Sequence, residues 1–428
     1  MTRTAPRLTG LDAARGLAVL GMIAAHLGPP HADLDLGDPS TWLSLVDGRS
    51  AVLFALCAGI SLTLMTRPRG DEPVVVARRR VLVRAVALFV LGCLLTALDT
   101  PVLVILPTYA VAFVASLPLL RARSRTVAVT AAAALLVGPV VMVLGWAVPG
   151  GVHDPLVGGV VLGPYPAVTW WGVVLVGMLV GRLDLGRLGV QGWLVGGGLL
   201  AAVTGYGGGL LLRAALGLPA SENGGGSSVD ASGPGSSSAP GGSSSAPVPT
   251  GGPGTSGAPG TSGGSGGPDL TPQSGSAPAD APLVAPVGGG TLEHPGVHWA
   301  GLTGVDPHAG STVEVLGALG VALVVLGLCL LLARRAARVL TPLRAVGALA
   351  LTLYAAHIVV YAVLTASGWV PDEDPAHAIA WLPFAATAVG AVVVAVPWRR
   401  FVGSGPLEAV VRRLSRTLDD PGPRSRPR

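Results

Sequence analysis

Two histidines inside apolar stretches are the residues best suited to move a proton. His26 closes the apolar run that begins near Thr9, and His357 lies within another far along the chain. An ordinary imidazole changes charge near neutral pH, so it can take and return a proton in a reaction. The run ending in His26 also holds Asp12 and Arg15, three apart and so on one helix face. Counting 100° per residue, the step from Arg15 to His26 is three turns plus about 20°. Arg15, Val19, Met22 and His26 therefore form one stripe about 16 Å long, with a cation at one end and a proton acceptor at the other. Such a face suits a ligand lying along the helix. The plainer reading makes Asp12–Arg15 an interfacial ion pair and His26 a helix cap against water.

Other candidates are spread along the chain. Tyr354, His357 and Tyr361 stand at i, i+3 and i+7 on one face, either as chemistry or as a polar packing stripe between helices. Asp47-Gly48-Arg49-Ser50 opens a further apolar run, with Arg49 set for Asp47 or an anionic ligand, or with Asp47 or Ser50 as a helix cap. His308 and Glu314 flank Ser311-Thr312, which reads first as a capping position and second as a substrate-facing acid–base pair. Trp170 and Trp171 fit an interfacial aromatic belt, and Gly177-x-x-x-Gly181 a close helix contact.

The elements that must carry these residues are membrane helices. Half of the 428 residues are apolar and only 12% are charged, against about 25% charged in soluble proteins. Mean hydropathy is +0.63. The class is all-α and polytopic, because only a bilayer accommodates such a chain. All 28 basic residues are arginines, which excludes a Walker-type phosphate loop and a Schiff-base lysine. Cys57, Cys93 and Cys329 lie far apart in apolar runs and suggest neither a metal cluster nor a disulfide framework.

Ten segments reach the length of a transmembrane helix: 9–28, 44–65, 79–97, 101–120, 127–148, 166–183, 190–212, 313–333, 342–365 and 378–397. Asp12, Arg15 and the many spans that follow argue against a cleavable signal peptide. With a cytoplasmic N-terminus, 26 of the 28 arginines fall inside and only Arg49 and Arg213 outside, while 16 of the 23 acids fall outside. That is the positive-inside pattern, and it places both termini in the cytoplasm. The basic balance is thus a topology signal, and no nucleic-acid partner is expected.

Four regions follow: membrane helices 1–7 over 1–216, a Gly/Ser/Pro-rich outer loop over 217–292, helices 8–10 over 293–402, and a basic tail over 403–428. The loop is expected to be disordered, since residues 221–290 contain neither an aromatic nor a basic residue. Its Gly260-Thr261-Ser262-Gly263-Gly264 matches G-x-S-x-G by repetition alone, without the strand and helix that a nucleophile elbow needs.

The order of these pieces resembles the membrane acyltransferase superfamily that includes heparan-α-glucosaminide N-acetyltransferase and bacterial relatives of unassigned function. The resemblance rests on LDAARGLAVLGMIAAH (11–26), DGRSAVLFALCAGISL (47–62), ILPTYAVAF (105–113) and YPAVTWWGVVLVGMLVGRL (165–183). PHAGSTVEVLGALGVAL (307–323), PLRAVGALALTLYAAHI (342–358) and GPLEAVVRRL (405–414) extend it. It implies transfer of an acyl group, acetyl first, from cytoplasmic acyl-CoA to a hydroxyl or amine on the outer face. The family carries a catalytic histidine in a His-Ala-x-Trp-type segment before the second span. Here that region reads PPHADLDLGDPSTW, so His31 is the residue available.

The leading expectation is therefore a bacterial cytoplasmic-membrane acyltransferase acting on an extracytoplasmic glycan or lipid-linked sugar. His26 is the expected base, with His357 and His31 next. Asp12, Arg15, Arg79, Arg80 and Arg84 are the expected acyl-CoA contacts, the arginines pairing with its phosphates. Asp47, Arg49, His308 and Glu314 are assigned to the acceptor, no metal is expected, and a homodimer is left open. The rivals are a transporter or flippase using the same polar stripes, and a non-catalytic membrane partner.

Overall fold

The computed structural model describes residues 9–29, 37–68, 72–146, 162–163, 165–218, 299–307, 309–370 and 378–417. The long loop, the first residues and the last lie outside these, as do His31 and His308. Regular structure in the described residues is entirely helical. The α-helices are α1 (Thr9–Leu27), α2 (Arg49–Thr66), α3 (Val74–Thr96), α4 (Leu106–Ala115), α5 (Ser124–Trp146), α6 (Ala167–Arg182) and α7 (Leu188–Ala202). They continue as α8 (Gly208–Ala215), α9 (Thr312–Arg335), α10 (Thr341–Ala348), α11 (Ala350–Ala366), α12 (Leu382–Phe401) and α13 (Pro406–Thr417).

All ten apolar segments are helical, but they are unequal. Six helices among the described residues are long and apolar enough to cross a membrane, and a bent pair raises this to seven. The segment expected over 79–97 belongs to α3, whose first half carries Arg78, Arg79, Arg80 and Arg84. In place of a full span over 101–120, α4 has 10 residues, with Pro107 in its first turn and Pro118 just beyond its end. Proline lacks the N–H that a helix interior needs, so it starts or stops helices. α6 has 16 residues and begins after Pro166. The segment 342–365 is broken: α10 and α11 meet at Leu349 with a bend of 81°.

α1 is the centre of the bundle, packing on α2, α9, α10, α11 and α12. The described residues before and after the long loop form one compact unit, because the C-terminal helices close around the first. Small residues let these helices approach, as expected where lipid supplies no hydrophobic drive between them. A Cβ at Gly347 would overlap the Asp12 carbonyl oxygen, and one at Gly16 the Leu343 carbonyl oxygen. The α2–α6 seam repeats this with Gly59 against Val174 and Gly177 against Leu56, so the GxxxG reading holds. Gly347→Ala is expected to force α10 off α1 at a cost of about 1–3 kcal/mol. A lowered thermal midpoint of the detergent-purified protein would show this, and an unchanged midpoint would refute the close crossing.

The outer faces of α7, α8 and α12 carry exposed Leu, Val and Trp side chains, including Trp193, Leu200, Leu211 and Val393. In a membrane this surface meets lipid. Trp170 differs from its expected interfacial place. It is buried, edge-on to Tyr165, and Trp171 donates from Nε1 to Ser116 Oγ at 3.1 Å.

Candidate functional site

α1 is amphipathic only in a narrow sense. Its small residues bury nearly all of its surface, and a polar group appears where a neighbour can answer it. At the C-terminal end, His26 Nδ1 and His357 Nε2 are 3.0 Å apart, although 331 positions separate them in sequence. The rings stack at 5.2 Å between centroids with 5° between planes. His26 is half-buried, whereas His357 is 1% exposed. One proton in this contact serves both nitrogens, donated by either ring according to tautomer. His357 Nδ1 makes no hydrogen bond among the described residues.

Aromatic rings continue behind the pair. Tyr354 meets His357 edge-on at 5.2 Å, Phe54 stacks on Tyr354 at 6.2 Å, and Tyr109 stacks on Phe54 at 5.9 Å. The phenols are anchored to backbone: Tyr109 donates to the Ala51 carbonyl at 3.1 Å, and Tyr354 accepts from the Ile105 amide at 3.3 Å. This column fixes the imidazoles from one side and keeps water from that side. Tyr361, the third member of the predicted stripe, is buried as well.

At the opposite end of α1, Arg15 donates to Asp12 Oδ1 at 2.9 Å and to Ser61 Oγ at 2.6 Å. Ser61 passes its own hydrogen bond to the Cys57 carbonyl at 2.5 Å. The expected ion pair therefore exists, but it is tied into α2 and is not a surface feature. Asp12 is 5% exposed. Arg84 of α3 lies within electrostatic reach of Arg15 and of Glu408 in α13. Arg80 is committed to Glu72, at 2.5 Å, while Arg79 is exposed. Of the three α3 arginines assigned to phosphates, Arg84 is thus the one beside Arg15, and Arg80 already has an acidic partner.

The α2 start builds a third cluster. Gly48, with φ +64°, is the residue that precedes the helix, so the N-cap position itself carries no side chain. Arg49 donates from Nε to the Tyr206 hydroxyl at 2.9 Å and from Nη1 to the Ser44 carbonyl at 3.0 Å. Its guanidinium carbon is 4.9 Å from the Tyr206 ring centroid. Tyr206 reaches it from a π-helical turn, Val203–Gly207, that interrupts the path from α7 to α8. Such single-turn insertions re-aim side chains and cluster at functional places. Asp47 lies within electrostatic reach of Tyr165.

Ser311 caps α9 as expected, accepting from the Glu314 amide at 3.0 Å. Glu314 itself is 5% exposed and lies within electrostatic reach of Arg49. Gly48, Trp170, Gly310 and Glu314 line a small cavity with room for about one water. Arg49 and Glu314, proposed separately from sequence, thus belong to one cluster.

Sequence reasoning missed Ser61, Tyr206, Tyr109, Phe54 and Glu408. Tyr206 carried a faint signal, a tyrosine between glycines inside an apolar run. Ser61 had none, because a lone serine on a helix is ordinary. Among the described residues, no group of three or more His, Cys, Asp or Glu side chains is arranged to hold a metal.

The fold and the site define a multi-pass, all-helical membrane protein with a paired-imidazole centre inside the bundle. Comparison with family models matches residues 7–195 to "Heparan-alpha-glucosaminide N-acetyltransferase, catalytic" and residues 298–417 to "Protein of unknown function (DUF418)". The first match places residues 7–195 in a family of membrane acetyltransferases, the family that the motifs of the chain resemble. No curated protein and no solved structure gives a significant match.

Proposed function

We propose that the protein moves an acyl group, acetyl in the simplest case, from cytoplasmic acyl-CoA to a hydroxyl or amine of an extracytoplasmic glycan or lipid-linked sugar. The bilayer is that of a bacterial cytoplasmic membrane, with both termini inside. The single observation that carries this reading is the 3.0 Å contact between His26 and His357 at one end of α1. Arg15 and Arg84 occupy the other end, about 16 Å away along the helix axis.

In this reading, the acceptor's O–H or N–H attacks the thioester carbonyl. The new carbon–oxygen or carbon–nitrogen bond forms as carbon–sulfur breaks, the acceptor proton passes to His26, and it leaves with CoA as the thiol. If His26 Nδ1–H donates to His357 Nε2, the His26 nitrogen that receives the proton is Nε2. His357 then orients the ring and stabilises the cation that forms, as a buried partner does for a catalytic histidine. Arg15, with Arg84 beside it and the exposed Arg79 further along α3, holds the CoA phosphates. Asp47, Arg49 and Glu314 hold the acceptor, joined by Tyr206, and His308 and His31 remain candidates from sequence alone.

One observation favours the transporter reading: the 81° break between α10 and α11, since discontinuous helices line many transport paths. Purified protein in liposomes, given acetyl-CoA labelled in the acetyl group and glucosamine as acceptor, separates the two. Covalent label on the acceptor is expected. Movement of unmodified acceptor across the bilayer, with all label still on CoA, would instead establish transport.

A further inference from the structure

The break at Leu349 strips the first turn of α11 of its upstream carbonyl partners. Inside a membrane protein water does not answer such amides, so the protein must. The acceptor comes from another helix. Glu408, in the first turn of α13, accepts from the Leu351 amide at 2.7 Å and from the Thr352 amide at 3.2 Å through Oε1. Thr352 Oγ1 donates to its Oε2 at 2.6 Å. The arrangement is reciprocal, because the Leu407 amide donates to Thr352 Oγ1 at 3.2 Å, so the two helix starts cap each other. Gly405 leaves the necessary room, since a Cβ there would overlap Glu408 Oε2. A carboxylate also suits the positive end of a helix dipole.

His357 lies five residues beyond Thr352 on the same uninterrupted helix, about 7.5 Å along its axis. The point at which α11 begins therefore sets the height at which His357 meets His26. α13 is in turn held against α3, the helix of Arg84.

We infer that Glu408 is a positioning residue for the imidazole pair: by fixing the start of α11 from α13, it holds His357 against His26. This rests on the acyltransferase reading for its consequence in turnover, but not for its geometry. The full chain in lipid nanodiscs is treated with diethyl pyrocarbonate, and modification of His357 is followed by mass spectrometry. Buried His357 in the unaltered protein is expected to react slowly. Glu408→Ala is expected to raise its rate about tenfold or more, because α11 then opens from its first turn. Glu408→Gln keeps the Oε1 acceptor for both amides and is expected to restore protection. Thr352→Val removes the bridging hydroxyl with little change in shape and should fall between them, which covers the case in which Glu408→Ala does not fold. With acetyl-CoA and glucosamine, Glu408→Ala should lower kcat while leaving the KM for acetyl-CoA unchanged. Unchanged His357 protection in Glu408→Ala and Thr352→Val would overturn the inference. Deprotection as expected, in a protein whose unaltered form transfers no acetyl group, would leave the positioning role standing and remove the acyltransferase reading.

Discussion

Replacement of His26 by alanine is expected to slow acyl transfer by about 10²–10⁴-fold, the usual loss for a missing general base, while leaving acyl-CoA affinity nearly intact. His26 is the member of the pair with access to a substrate, and it lies far along α1 from the arginines that would hold CoA. The substitution also leaves His357 Nε2 buried without its partner, so a stability measurement must accompany the kinetics. His357→Gln is the informative companion. Its amide oxygen can accept from His26 Nδ1, so turnover should lie between that of the unaltered protein and His26→Ala. Full turnover by His26→Ala would place the base elsewhere or end the acyltransferase reading.

The second large effect belongs to Arg15. Arg15→Ala is expected to raise the acyl-CoA Kd by roughly five- to 150-fold, the equivalent of about 1–3 kcal/mol for a lost charge-assisted contact. The structure complicates the single variant. Asp12 is buried beside Arg15, and breaking a buried pair by removing one partner costs about 3–5 kcal/mol when both are dry. The Arg15 side chain keeps 23% exposure, so the cost here should sit below that range. The double variant Asp12→Ala/Arg15→Ala separates the two roles. It should recover much of the stability, since the buried carboxylate goes together with its cation, yet keep the weakened acyl-CoA binding. A double variant with unaltered affinity would make the pair purely structural.

Part of this site was legible in the sequence because a helix has a fixed period. The stripe Arg15, Val19, Met22, His26 follows from 3.6 residues per turn, and Val19 and Met22 are indeed buried while both ends stay partly open. The face of Tyr354, His357 and Tyr361 follows in the same way, as does the Ser311 cap, which needs three residues of context. Membrane class is likewise a matter of composition, and the family follows from local motifs in order. Element lengths were less legible. Apolarity alone runs through Pro107 and Pro118, whereas α4 stops where the prolines require.

What composition and periodicity cannot carry is partnership between distant segments. His26 and His357 appear in sequence as two alternatives, and packing makes them one hydrogen-bonded pair across 331 positions. Arg49 looks in sequence like a partner for Asp47, and a π-helical turn with no periodic signature brings Tyr206 to it instead. Glu408 reads as an ordinary first-turn acid until the break at Leu349 leaves two amides for it to satisfy. The solvent this chain lives in, the faces its helices present and the family it resembles can all be read from residue types and short spacings. Which face meets which is settled in three dimensions, because in a bilayer that choice is made by glycine-lined close contacts and by the need to satisfy buried polar groups from another helix.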